Sequence, residues 1–276
     1  MANLFVLAFD HRATFATQLL GYSYPRLTKA ERKKVTELKR VVFDGFLHAW
    51  RGARRSKTLA VLVDEEFGMP VIRRAKRLGL ALAIPVEKSG QDVFNFEHGA
   101  RFGAHLKKIK PTFAKALVRY DVARKKDNHL QRARLLRLSR FCQKNELGFL
   151  IEILLTGSGP RRAQLTQTMR EMIEDGINPA VWKLEGLPRS ADWKQLRRLT
   201  EAELIMLGRG ESRGKVLHLL RSARESGVAS GFAIGRTIFF EPLRKYLAQE
   251  IARAEAVRQI SKNYRFFINL WQRNTP

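Results

Sequence analysis

Cysteine is almost missing from this chain: Cys142 is the only one in 276 residues. An internal disulfide framework is therefore excluded, which fits a reducing, cytoplasmic setting. No apolar run approaches the ~20 residues needed to span a bilayer. No basic region precedes the short apolar run Leu4 to Phe9, as a secretory leader would require. A soluble protein with no membrane partner is expected. The six histidines (His11, His48, His98, His105, His129 and His218) are scattered, with none of the close spacings of zinc ligands, so no metal site is expected. Acidic residues are also scarce, 26 against 52 Lys and Arg, for a net charge of +26. Such a balance favours polyanions and keeps nucleic acid in view as a partner. The basic residues, however, lie along every predicted helix, and no zinc-finger or RNP-type signature accompanies them. The charge reads as a general surface property that would also attract a small anionic substrate.

What the chain does contain is alternation. Eight apolar strand-like runs are predicted: Leu4 to Phe9, Leu59 to Val63, Leu80 to Pro85, Thr112 to Tyr120, Gly148 to Leu155, Val181 to Glu185, Ala202 to Leu207 and Gly231 to Arg236. Helical patterns separate them. Thr28-Lys29-Ala30-Glu31 has the spacing of a capping box and opens a helix to about Arg51, with Val41, Val42, Phe46 and Trp50 on its buried face. The segment Arg51 to Lys57 reads as a basic linker. Further helices are predicted over Pro70 to Leu78, Ala100 to Lys107, Asn128 to Asn145, Arg161 to Asp175, Asp192 to Leu199 and Gly214 to Ser226, with two more at the end, Glu241 to Glu250 and Ala254 to Gln272. In the Asn128 to Asn145 helix, Leu130, Leu135, Leu138 and Phe141 are the expected apolar contacts. Strict alternation implies a parallel sheet, and eight units imply a closed (β/α)8 TIM barrel, an α/β fold for which about 250 residues is typical. No repeat or long linker divides the chain, so residues 1–276 are expected to form a single domain with C-terminal helices.

Chemistry in such barrels gathers at the C-terminal ends of the strands. Those ends carry Asp10 and Arg12, Asp64 and Glu65, Glu87 and Lys88, Lys115 and Arg119, Glu152, Lys183 and Glu185, Arg209, and Arg236. Along Ala180-Val181-Trp182-Lys183-Leu184-Glu185-Gly186, alternation places Val181, Lys183 and Glu185 on one face of a strand. A lysine among apolar residues beside other charges is how a protein prepares a neutral, nucleophilic amine. A structural Lys–Glu pair is the alternative for the same residues. Lys115 is a second lysine within a strand. Glu152 sits in an otherwise apolar strand and needs a partner, because a lone buried carboxylate costs several kcal/mol.

The seventh and eighth strands both end in Gly-Arg, at Gly208-Arg209-Gly210 and Gly235-Arg236-Thr237. Glycines let a phosphate approach backbone N–H groups and arginine adds a forked donor, at a frequent phosphate position of barrels. Gly208 to Lys215 fails as a P-loop, since the glycine spacing is wrong and Val216 stands where Ser or Thr is required. Neither a dinucleotide fingerprint nor a Gly-x-Ser-x-Gly elbow is present, and no cofactor is expected.

The chain resembles the barrel family of 2-deoxy-5-keto-gluconate 6-phosphate aldolases of inositol catabolism. The residues that carry the resemblance are Leu7-Ala8-Phe9-Asp10-His11-Arg12, Val63-Asp64-Glu65-Glu66-Phe67-Gly68, Pro85-Val86-Glu87-Lys88-Ser89-Gly90-Gln91-Asp92, Leu117-Val118-Arg119-Tyr120, Val181-Trp182-Lys183-Leu184-Glu185-Gly186-Leu187, Leu207-Gly208-Arg209-Gly210 and Gly235-Arg236-Thr237. A more distant resemblance, to metal-independent tagatose-bisphosphate aldolases, implies roles. Lys183 would form the imine, Glu152 would move protons, and Lys115 and Asp10 would complete the catalytic set. Arg12, Glu87, Lys88, Arg119, Glu185, Gly208, Arg209, Gly210, Gly235 and Arg236 would bind substrate and its phosphate. The resemblance implies cleavage to dihydroxyacetone phosphate and malonate semialdehyde. Another phospho-sugar lyase or isomerase on the same barrel, a basic polyanion binder, and a homo-oligomer stay open at this point.

Overall fold

The computed structural model of the protein describes residues 3–53 and 58–272. Residues 54–57 of the expected basic linker, and Met1 and Ala2 of the N-terminal segment, lie outside that range. The element order is β1 (Leu4–Ala8), α1 (Lys29–Gly52), β2 (Leu59–Leu62), α2 (Glu65–Arg77), β3 (Ala81–Pro85), α3 (Phe102–Ile109), β4 (Phe113–Tyr120), α4 (Lys125–Lys144), β5 (Gly148–Leu155), α5 (Arg161–Glu174), β6 (Val181–Glu185), α6 (Ser190–Arg197), β7 (Glu203–Leu207), α7 (Arg213–Glu225), β8 (Gly231–Ile234), α8 (Arg236–Leu247) and α9 (Arg253–Gln272). The eight strands close into a barrel in sequence order. This is the expected TIM-barrel fold, and the paired strands are parallel because each returns through a helix.

The chain divides into two compact units, each drawn from separated stretches of sequence. One contains Leu4–Leu82, Gly210–Ser212 and Ala233–Pro276. Here α1 starts at the predicted capping box: Thr28 Oγ1 accepts from the Glu31 N–H at 3.2 Å, and Glu31 Oε2 accepts from the Thr28 N–H at 2.7 Å. Hydrogen bonds to its Oε2 from the Thr28 N–H and the Thr28 hydroxyl hold the Glu31 carboxyl below the usual carboxylate range. Val41, Val42, Phe46 and Trp50 are buried on α1 as expected. Gly45 admits α9 at close range, since a Cβ there would stand 2.5 Å from Ile260. Tyr264 of α9 donates its hydroxyl to the Phe5 carbonyl at 2.6 Å, fastening α9 to β1.

Three differences from expectation lie in this unit. α2 begins at Glu65, five residues before the predicted Pro70, because the Asp64 carboxylate caps it by accepting from the Phe67 N–H at 3.0 Å. α8 begins at Arg236, immediately after β8, five residues ahead of the predicted Glu241. Thr14–Leu19, where no helix or strand is predicted, is a π-helical turn that buries Phe15 against Phe239 with ring centroids 5.1 Å apart.

The other unit contains Ala83–Arg209 and Arg213–Phe232. Its strands β4 to β7 pair in continuous register, with Ala116 opposite Ile151, Ile151 opposite Trp182 and Trp182 opposite Leu204. On α4 the expected contact Leu130 is instead exposed, while Asn128 and Gln131 are buried. The polar pair faces inward because it serves the backbone: Gln131 accepts from the Phe94 N–H at 2.9 Å and donates to the Arg119 carbonyl at 3.0 Å, and Asn128 donates to the Asp121 carbonyl at 2.7 Å. Cys142 is buried on the same helix, and burial pushes its thiol up to about 12. Among the described residues, no helix is long and apolar enough to cross a membrane.

Candidate functional site

Three neighbouring strands bring two lysines and a glutamate together. Glu152 on β5 lies directly opposite Lys183 on β6 in the strand register. The Lys183 ammonium is 2.9 Å from Glu152 Oε1, and the Lys115 ammonium of β4 is 2.9 Å from Glu152 Oε2. Lys115 also donates to Glu87 Oε1 at 2.6 Å, from the segment that follows β3. The side chains of Lys115, Lys183 and Glu152 are only 1%, 5% and 9% exposed, so these charges are shielded from bulk water. Isolated burial of any one would cost several kcal/mol, and only mutual pairing makes the group tolerable. Two ammonium groups and two carboxylates balance formally. Glu152 therefore has the partner that its apolar strand demanded, and in fact two. An amine held at hydrogen-bond distance from a carboxylate can pass its proton to that group and attack a carbonyl carbon.

Around this cluster stand further predicted residues of the same unit. Glu185, at the end of β6, is buried; Oε1 accepts from the Leu155 N–H at 2.8 Å, and Oε2 accepts from Arg209 at 2.7 Å. Arg209 follows buried Gly208 after β7 and adopts a positive φ of 49°. Its side chain remains 40% exposed, so Glu185 holds it in place without hiding it. Arg161, which sequence reasoning missed, shares this anchor: Nε is 3.7 Å from Glu185 Oε2, and Nη1 donates to the Leu155 carbonyl at 3.0 Å. Its position at the first residue of α5, directly after the β5 turn, was the available signal. Arg119 donates to the Gln91 carbonyl at 2.9 Å, and Lys88 is exposed with its N–H bonded to the Asn95 carbonyl at 2.8 Å. Glu87, by contrast with Lys88, is committed to Lys115.

The remaining predicted residues belong to the other unit. Asp10 follows β1, with His11 Nδ1 4.0 Å from its Oδ1. Arg12 lies 3.8 Å from Glu66, which also receives hydrogen bonds from Tyr24 (3.0 Å) and Arg32 (2.9 Å). Gly210 and Arg236 touch: a Cβ on Gly210, whose φ is +72°, would lie 2.2 Å from the Arg236 guanidinium. Gly235 is as tightly placed, since a Cβ there would lie 2.1 Å from the Ala8 carbonyl oxygen. Burial lowers the pKa of Arg236 below its ordinary value. This unit also holds a second buried ion pair that the sequence did not reveal. Lys39 of α1, fully buried, bonds Asp64 Oδ2, the Phe9 carbonyl (2.7 Å) and the His11 carbonyl (3.2 Å), and lies 4.5 Å from the Phe15 ring centroid.

Comparison with known proteins agrees with the fold. The crystal structure of Cgl0159 from Corynebacterium glutamicum is similar with a TM-score of 0.61 at 14% identity, over 96% of this chain and 86% of that one. The crystal structure of an archaeal fructose 1,6-bisphosphate aldolase is similar with a TM-score of 0.61 at 13% identity, over 98% of this chain and 93% of that one. At such identities the likeness is one of fold. No curated protein matches the sequence. A family model does match, over residues 1–275, and by it the chain belongs to the family described as an uncharacterized protein conserved in bacteria (DUF2090).

Proposed function

We propose that the protein is a class I aldolase, a carbon–carbon lyase that forms a Schiff base between Lys183 and the ketone of a phosphorylated keto compound. The observation that carries this reading is the shared carboxylate of Glu152, 2.9 Å from both Lys183 and Lys115 in a nearly dry strand cluster. The likeness in fold to a fructose 1,6-bisphosphate aldolase supports the same reaction class. The residue motifs favour 2-deoxy-5-keto-gluconate 6-phosphate as the substrate, with dihydroxyacetone phosphate and malonate semialdehyde as products.

In the mechanism, Glu152 takes a proton from the Lys183 ammonium, and the freed amine adds to the ketone carbon. Glu152 returns that proton to the carbinolamine hydroxyl, water leaves, and a protonated imine remains. A carboxylate then removes the proton of the hydroxyl across the scissile bond. The carbon–carbon bond breaks, an aldehyde forms, and the electron pair moves into the imine to give an enamine. Protonation of the enamine carbon and addition of water release the second product and restore the Lys183 ammonium. Lys115 fixes the Glu152 carboxylate throughout, and Glu87 fixes Lys115. Arg209, held by Glu185, offers its remaining N–H groups to the anionic end of the substrate.

Borohydride reduction in the presence of substrate tests the assignment. The expected result is an adduct mass on the peptide containing Lys183, absent from Lys183→Met. An adduct on Lys115 instead, or none with a substrate that turns over, overturns it.

A further inference from the structure

The two lysines of the strand cluster are both buried, but they keep different company. Lys183 is 2.9 Å from one carboxylate, Glu152, and among the described residues no other carboxylate is within ion-pair distance of it. Lys115 is 2.9 Å from the same Glu152 and 2.6 Å from Glu87 as well. A nearby carboxylate favours the charged form of an amine, and the preference strengthens where water is excluded. The lysine with two carboxylates therefore holds its proton more firmly than the lysine with a share in one.

The backbone builds this second contact into the barrel. Pro85, the last residue of β3, is the register partner of Lys115, and the Val86 N–H continues the ladder by donating to the Lys115 carbonyl at 2.8 Å. Register partners point to one face of a sheet, and residues two apart along a strand share a face, so Glu87 falls on the side of Lys115. An antiparallel bridge to Phe96 then fixes Glu87 from its other edge. The Glu97 N–H donates to the Val86 carbonyl at 2.9 Å, and the Lys88 N–H donates to the Asn95 carbonyl at 2.8 Å. The Glu87 side chain is 13% exposed and that of Lys115 only 1%, so bulk water screens the pair little.

We propose that Glu87 selects the nucleophile: it keeps Lys115 an ammonium, which leaves Lys183 as the lysine that becomes a free amine. In this role Glu87 is a positioning residue that acts through Lys115 and not a substrate contact. The use made of the Lys183 amine rests on the aldolase reading; the unequal protonation of the two lysines does not.

Cyanate tests the proposal on the full chain without any substrate, because isocyanic acid adds to a free amine and not to an ammonium. Carbamoylation is followed peptide by peptide in the wild type, two neutral variants, Glu87→Gln and Glu87→Leu, and the charge-keeping Glu87→Asp, with circular dichroism as the check on folding. In the wild type the Lys183 peptide is expected to label faster than the Lys115 peptide. In either neutral variant the Lys115 rate is expected to rise about tenfold or more, the size of effect that removal of one close opposite charge produces. Glu87→Asp is expected to stay closer to the wild type. A Lys115 rate unchanged in the neutral variants, or raised as much by Glu87→Asp, would overturn the proposal. Borohydride reduction with dihydroxyacetone phosphate then separates the two levels. The adduct is expected on Lys183 in the wild type and on both lysines in the neutral variants; an adduct that stays on Lys183 alone in those variants overturns the selection. A wild type that carbamoylates in the expected order but traps no dihydroxyacetone phosphate overturns the aldolase reading while upholding the difference in protonation.

Discussion

Two buried lysine–carboxylate groups, one in each compact unit, show how differently the same ion pair can be used. Lys39 reaches from α1 and is surrounded by acceptors: Asp64, two backbone carbonyls and, at 4.5 Å, the Phe15 ring. Asp64 is equally committed, since its other oxygen caps α2. Every donor and acceptor there has a structural task, and both side chains are fully enclosed. Lys115 and Lys183 instead stand on neighbouring strands and share Glu152, with slight exposure at each of the three side chains. The first arrangement joins the segment after β1 to the start of α2. The second sets two ammonium groups on one carboxylate within neighbouring strands, the arrangement on which the proposed covalent chemistry rests.

The comparison can be broken most sharply at Glu152. Glu152→Gln leaves two ammonium groups without their shared carboxylate and removes the proton carrier; turnover of a phosphorylated keto substrate is expected to fall by about 10²–10⁴-fold, as is usual for loss of a general acid–base. An unchanged rate would place this cluster with Lys39 as purely structural. Lys39→Met is the converse test. Removing one partner of a buried pair strands the other charge, so unfolding in denaturant should show a loss of about 3–5 kcal/mol. Restoring neutrality with Lys39→Met and Asp64→Asn together should recover part of that loss, since asparagine still caps α2. Neither change is expected to alter which lysine traps substrate. The smallest effect is expected for Thr28→Ala, which opens the α1 capping box outside both clusters and should cost about 1 kcal/mol by the same measurement, with turnover unaffected.

Much of the barrel was legible because its signals are local. Apolar runs of strand length alternate with helical patterns, and Thr28 and Glu31 mark the start of α1 through contacts three residues apart. Where a local signal had two meanings, the prediction slipped. In sequence Asp64 reads as a polar group at a strand end, yet its carboxylate caps α2 and so moves the helix start ahead of Pro70. Leu130 matched a helical stripe, but the backbone at the end of β4 required Gln131 and Asn128 on the inner face.

The sequence by itself determined the α/β alternation, the parallel barrel and the placing of Lys115, Glu152 and Lys183 within strands, because those properties follow from hydrophobic period and strand geometry. Tertiary structure decided the partners. Glu152 meets Lys183 through the register of β5 on β6, which barrel closure and stagger set and no single strand encodes. Glu87 reaches Lys115, and Arg161 and Arg209 meet at Glu185, through loops whose paths depend on packing. Lys39 looked like any other lysine of a basic helix, and only the packing of α1 buried it against Asp64.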